Sequence, residues 1–362
     1  MSSNWGNCFY ISIFGESHGA GIGVVIDGVP AGLKLDLDEL SAFMLRRAPG
    51  HSKTSTPRME SDIPEILSGF VSGVTTGTPL AALIRNNDTH SSDYEEFSSV
   101  ARPGHADYTG FVRYGGHNDV RGGGHFSARL TAPLCFAGAV AKQLLAQKNI
   151  LVGAHIARAA GISDIPYDPV NLDEQTLLRA GKSEFPVLDD AAGEQMKAAI
   201  EEARMAQDSV GGVVECAILG VPAGIGSPIF DGLENSIASI VFGIPAVKGI
   251  EFGEGFGAAD LKGSQNNDSF QIRDGKIVTD TNHAGGILGG ISSGMPILLR
   301  AAFKPTPSIS QSQNTVDFTA RTQRSVNIKG RHDPCVAVRA VPVVEAAVAI
   351  AAVDAMLSQG QL

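Results

Sequence analysis

The sequence predicts one α+β domain over residues 1–362. Of its residues 43% are hydrophobic and 18% charged, which is enough apolar material for a single large core. No linker-like change of composition and no repeat at a fixed period divides the chain. Short β-forming runs, joined by glycine and proline turns, are interspersed with segments whose apolar residues recur at helical spacing.

Residues 7–14 (NCFYISIF) are a β-rich run leading into GESHG, and residues 21–30 (GIGVVIDGVP) read as a second strand ending in a turn, so the two form a hairpin. Leu37, Leu40, Phe43 and Met44 place a helix over 36–47, with an acidic first turn and Arg46 and Arg47 in its last. Residues 48–62 (APGHSKTSTPRMESD) form a loop, and Arg47, Lys53 and Arg58 make it a basic segment of the kind that closes over charged ligands. Short strands follow at 66–74 and 79–85. An apolar helix covers 128–146, an amphipathic outer helix 189–207, a strand 212–219 and a short helix 233–242. Residues 260–280 are a polar loop, 295–303 a strand, and a strand and a last helix follow 330–334. The apolar run 341–357 is interrupted by Glu345 and Asp354 and reads as a core helix, not a membrane span.

The formal net charge of −10 argues against a nucleic-acid surface and confines positive potential to local islands, which suit small anions. Cys8, Cys135, Cys216 and Cys335 stand alone, without a CxxC pair, which argues against zinc and against a disulfide scaffold. Residues 1–10 do not resemble a signal peptide. A reduced, cytoplasmic compartment is expected.

The main island is residues 102–129, RPGHADYTGFVRYGGHNDVRGGGHFSAR. It gathers Arg102, Arg113, Arg121 and Arg129 with His105, His117 and His125 among seven glycines. Gly122, Gly123 and Gly124 allow backbone N–H groups to converge, and Ser127 is placed to cap the helix that follows. An oxyanion there would meet the positive helix end and Arg129 together. The same string also reads as a solvated glycine-rich loop. GESHG at 15–19 matches the GxSxG of serine hydrolases, but an elbow must turn into a helix and this chain runs on into Val24, Val25 and Ile26. No GxGxxG follows a strand and no GxxxxGK[ST] occurs, so neither a dinucleotide fingerprint nor a P-loop is present.

Taken together, FGESHG at 14–19 with VIDGVPAG after it, RPGHADYT at 102–109, RGGG and SAR within 121–129, GSQNND at 263–268, NHAGGILGGISSG at 282–294, KPT at 304–306 and GRHDPC at 330–335 resemble the chorismate synthase family. The matches keep their order from one end of the chain to the other. The resemblance implies a single-domain β–α–β sandwich with antiparallel sheets between helices, assembled as a homotetramer. It implies a lyase that converts 5-enolpyruvylshikimate 3-phosphate to chorismate and phosphate by anti-1,4-elimination, with reduced FMN (FMNH2) as cofactor. Whether NADPH serves as flavin reductant stays open.

By motif, His18 matches the histidine that protonates the departing phosphate, and His105 the one that protonates the reduced flavin. Asp333 matches the aspartate near flavin N5 that helps remove the C6 proton. Arg47, Lys53, Arg102 and Arg129 match positions that contact substrate or NADP anions. His125, Phe126, Ser127, Pro245, Ala246, Gly289, Lys304, Pro305, Thr306, Pro307, Ser308 and Arg331 fall on flavin contacts. The chain departs from the family pattern at His125 (usually arginine), Phe126 (commonly serine), Lys53 (for arginine) and Pro245 (for asparagine). A lysine keeps the charge of an arginine but loses its bidentate fork.

Overall fold

The computed structural model describes residues 3–50, 60–87, 97–328 and 333–362. The N-terminal sheet takes β1 (Asn4–Trp5), β2 (Tyr10–Gly15), β3 (Gly21–Asp27), β4 (Pro64–Ser68) and β7 (Leu80–Arg85) in the order β1-β2-β3-β7-β4, with β5 (Phe70–Val71) and β6 (Val74–Thr75) as a separate small hairpin. The second sheet has the order β11-β16-β10-β8-β9, built from β8 (Leu151–Ala159), β9 (Ile162–Ser163), β10 (Gly212–Leu219), β11 (Val247–Phe252) and β16 (Ile297–Phe303). Every pairing in both sheets is antiparallel. Small hairpins β12 (Phe270–Arg273) with β13 (Lys276–Thr279), β14 (Ile287–Leu288) with β15 (Ile291–Ser292), and β17 (Ser312–Asp317) with β18 (Thr322–Asn327) stand apart from them.

Between the sheets lie α1 (Leu37–Arg47), α3 (Thr131–Ala146) and α8 (Ala337–Ser358), so the layers run sheet, helices, sheet. The remaining helices are α2 (Asp107–Tyr114), α4 (Glu174–Arg179), α5 (Asp190–Met205), α6 (Leu233–Phe242) and the single turn α7 (Gly263–Asn266). The period of two shows on both sheets: Ile22, Val24 and Ile26 of β3, and Val214, Cys216 and Ile218 of β10, enter one continuous apolar core. On the opposite face of β10, Ala217 joins Tyr167, Leu177 and Leu298 in a smaller cluster. Helices α3 and α8 touch where a Cβ on Gly138 would sit 2.2 Å from Ala346 Cβ, so only glycine permits that approach.

Helix α8 is long and apolar enough to cross a membrane by composition, yet 89% of its most apolar window is buried in the protein. Its two carboxylates are both satisfied. Glu345 accepts from Arg46 (2.5 and 3.0 Å) and Lys142 (2.5 Å), and Asp354 accepts the backbone N–H groups of Asn7, Cys8 and Phe9 at 2.9, 2.6 and 2.8 Å. All four cysteines are free, Cys8 exposed and Cys135, Cys216 and Cys335 buried.

Several sequence expectations need correction. Residues 260–280 are not one loop: Asp274 and Gly275, at φ +53° and +76°, turn β12 into β13. The strand expected at 66–74 ends at Ser68, where Gly69 (φ +76°) starts a new turn. Among the described residues no strand lies between Asp333 and α8; Pro334 and Cys335 lead directly into it. Helix α2 lies inside the 102–129 stretch, for which the sequence reading named no helix before residue 128. Its Gly110 is a packing glycine, since a Cβ there would meet the Phe126 ring at 2.8 Å.

Candidate functional site

One cavity of about 590 Å³ opens where α3 and α8 begin, beside the loops that follow β2, β7 and β16. Arg47, Arg102, Arg129, Lys248, Lys304 and Arg339 line it against the carboxylates Glu60 and Asp333. In a chain of net charge −10, this excess of cations is the local island the sequence called for.

Arginines are held here by buried aspartates. Asp36 caps α1 by accepting from Asp38 N and Glu39 N, and the last turn of that helix delivers Arg47. Arg47 donates to Asp62 Oδ2 at 2.5 Å, to Thr131 Oγ1 at 3.0 Å and to the Ala128 carbonyl at 3.1 Å. Arg129 donates to Asp62 Oδ1 and, at 3.1 Å, to Asn86 Oδ1. Burial opposes the Asp62 charge, but the two guanidiniums outweigh it and hold that carboxyl below its ordinary range. Arg339 donates to Asp333 Oδ2 at 2.7 Å and to the Arg47 carbonyl at 3.0 Å, which ties the aspartate to the arginine lattice. From the other side the Thr306 hydroxyl donates to the Asp333 carbonyl at 2.7 Å.

The histidines sit on glycines. Gly122, Gly123 and Gly124 have φ of +59°, +89° and +52°, a run open to glycine at little cost. A Cβ on Gly122 would lie 2.0 Å from His18 Cε1, and one on Gly123 would lie 3.0 Å from His105 Nε2. Thus the glycine run seats two imidazoles, a use beyond the anion nest read from sequence. Ser17 Oγ lies 3.2 Å from His18 Nδ1 and donates to the Arg121 carbonyl at 3.2 Å. Ser17 is therefore a buried partner of a histidine, not the exposed serine of a hydrolase elbow. Ser127 accepts from Arg129 N at 3.2 Å and caps one 3-10 turn, Ala128–Leu130, before α3 begins.

A less polar wall faces these groups. Phe126, Pro245, Ala246 and Val247 line it, with Ala246 in the left-handed region at φ +75°. Lys304 and Lys248 lie close together at its edge; burial first, and Lys248 second, depress the Lys304 pKa. Two cations that repel one another are stabilised by an anion between them. Thr306, Pro307, Ser308, Ser127 and His125 also reach the cavity. His125 is occupied, its Nδ1 2.8 Å from the Gly15 carbonyl and its Nε2 2.8 Å from Ser3 Oγ.

Of the sequence-predicted site residues, Gly289 and Pro305 do not line the cavity. Gly289 makes the tight turn between β14 and β15, and Pro305 packs near Gly211. Lys53 and Arg331 lie outside the described residues. Sequence reasoning missed Asp62, Asp107, Lys248 and Arg339. Asp62 ends a stretch read as a basic loop, of which residues 51–59 lie outside the described ones, and Arg339 sits in an apolar helix where charge pattern gives no cue. Among the described residues no cluster of His, Cys, Asp or Glu is placed to hold a metal ion.

The sequence profile described as chorismate synthase matches residues 9–357. The chain is 49% identical to the chorismate synthase of Dehalococcoides mccartyi, over 99% of this chain and 98% of that protein. It is 46% identical to that of Lancefieldella parvula over 99% and 97%, and 46% identical to that of Thermococcus kodakarensis over 97% of each. A crystal structure of a chorismate synthase superposes with a TM-score of 0.77 at 30% identity, covering 98% of this chain and 93% of that one. Likeness of this extent, in sequence and in fold, shows that the chain belongs to the chorismate synthase family.

Proposed function

We propose that the cavity holds 5-enolpyruvylshikimate 3-phosphate against reduced FMN, and that His18, His105 and Asp333 handle the protons of the elimination. The chain is a carbon–oxygen lyase of the chorismate synthase type, and its reaction converts that substrate to chorismate and phosphate. The observation that carries the reading is the convergence of His18, His105, Asp333 and three buried arginines on one cavity.

The substrate bears two carboxylates and a phosphate, so its binding needs several cations held close together against their mutual repulsion. Asp62 provides that restraint for Arg47 and Arg129, and Asp107 for Arg102. Lys53 is proposed as a further contact. His18 delivers a proton from its ring to the departing phosphate oxygen, with Ser17 orienting the ring. Asp333, set between Arg339 and Thr306, takes part in removing the C6 proton.

The wall fits a flat ring ending in a phosphate. Phe126, Pro245 and Ala246 offer the ring surface, and Lys304 with Lys248, Thr306 and Ser308 the anion site, joined by Ser127 and His125; Arg331 is proposed as a further cofactor contact. Reduced FMN, when bound, supplies electron density to the substrate with no net redox change. His105 holds the proton for the cofactor side. The same reading makes the enzyme a cytoplasmic homotetramer, with NADPH as the candidate flavin reductant.

The test is an anaerobic assay with dithionite-reduced FMN and the phosphorylated substrate, following chorismate absorbance and released phosphate. Product is expected, and His18→Ala and His105→Ala should each lower turnover by on the order of 10²-fold or more. Near wild-type turnover in both variants would overturn the assignment. Flavin bound without product would favour an anion-binding protein that no longer catalyses. Repeating the assay with oxidised FMN and NADPH tests for an intrinsic reductase.

A further inference from the structure

We infer that Asp107 is a positioning residue that fixes His105 with its Nδ1–H toward the protein and its Nε2 toward the cavity. The inference rests on the role proposed above for His105. Asp107 opens α2, two residues beyond the histidine, and is buried. Its Oδ2 accepts from Arg102 N at 2.9 Å and Arg102 Nε at 2.8 Å, and its Oδ1 accepts from Arg102 Nη2 at 2.6 Å. The same Oδ1 lies 2.9 Å from His105 Nδ1.

Two tautomers compete for that contact. Arg102 Nη2 is 3.2 Å from His105 Nδ1 and would donate to it if Nδ1 carried a lone pair. That arrangement would set the lone pair against a carboxylate oxygen at 2.9 Å. An ionised carboxylate only accepts. Burial works against ionisation of Asp107, but the bonds to Arg102 and His105 overcome it and hold the carboxyl far below its usual range. The proton between the two groups therefore belongs to Nδ1, and Nε2 becomes the atom that gains and loses a proton.

Gly123 completes the arrangement. A side chain there would press on His105 Nε2 at 3.0 Å, so glycine leaves room at that edge of a ring that lines the cavity. When Nε2 is protonated, the ring keeps its Nδ1–H bond to Asp107 and needs no rotation. A rigid donor of this kind loses little entropy in the reaction.

A double-mutant cycle on the flavin-loaded enzyme tests the inference, because Asp107 also holds Arg102. Asp107→Asn should lower kcat on the order of 10- to 100-fold in the wild-type background, with a smaller change in KM. In the His105→Ala background the same substitution should cost less than about threefold, because the group it positions is gone. An equal loss in both backgrounds would overturn the inference and assign Asp107 to Arg102 alone. Wild-type turnover in His105→Ala would instead defeat the role given to His105. Ring 15N NMR of the wild-type enzyme reads the tautomer directly, whether or not Asp107→Asn folds. A protonated Nδ1 with a bare Nε2 in the neutral ring supports the inference, and the reverse pattern overturns it.

Discussion

Gly122 decides the position of His18. Any methyl group there would enter the imidazole, 2.0 Å from Cε1 and 2.1 Å from Nδ1, and would also strain a backbone at φ +59°. Gly122→Ala is expected to lower kcat more than tenfold and stability by roughly 1–3 kcal/mol. Steady-state kinetics and urea unfolding check it, and an alanine enzyme with wild-type kcat would show that the ring need not sit on the glycine. At this scale the motif residues were legible, because His18, His105, Asp333 and the arginines stand in strings that resemble a family. The carboxylates behind them were not. Asp62 and Asp107 act by contacts across 67 and 5 positions of sequence, and no spacing rule announces either. The departures have uneven consequences: His125 is spent on Gly15 and Ser3, whereas Phe126 packs against α2 at Gly110 and still reaches the cavity.

Among the elements, β8 shows what periodicity does not reveal. Its sequence LVGAHIARA is small and apolar on both faces, so it lacks alternation, and it carries a fully buried histidine. His155 lies 2.9 Å from Asp164 through Nδ1 and 2.9 Å from Glu215 of β10 through Nε2. Burial opposes its charge, but the two carboxylates outweigh it and raise the pKa above the ordinary value of about 6.5. A raised folded pKa stabilises the protein fully below about pH 6.5, and that contribution is lost as pH rises through the folded value. Unfolding free energy should therefore fall above about pH 6.5 more steeply in the wild type than in His155→Gln. Urea titrations across that range decide it, and parallel slopes would refute the charged bridge. Helices α1, α5, α6 and α8 were legible from apolar spacing and apolar runs, as was the β2–β3 hairpin. Helix α2 was hidden by Gly110, which is glycine for the sake of Phe126, and β12–β13 by the polar residues around its Asp274-Gly275 turn.

For the whole molecule, the sequence supported one undivided domain, but the order β1-β2-β3-β7-β4 needs pairings across more than fifty residues that no local pattern encodes. The layered sandwich was therefore expected only through the resemblance, and the sheet, helix and sheet layers agree with it. Charge is distributed at this scale too. With a net charge of −10 over the whole chain and six cations lining one cavity, attraction for a substrate with three anionic groups is local and open to screening. KM for the substrate is expected to rise several-fold between low salt and about 0.5 M, while kcat changes less than about twofold. Initial rates across a salt series check it, and a KM indifferent to salt would place the binding energy elsewhere. The buried cysteines carry a consequence of another kind. Reduced flavin that meets oxygen yields peroxide, which attacks thiolates far faster than thiols. Burial raises the Cys135 thiol to about 12 and the Cys335 thiol to about 11, and pushes Cys216 up as well. Those three stay protonated and out of reach, so oxidative wear in this enzyme falls on Cys8, at the surface, and spares the core.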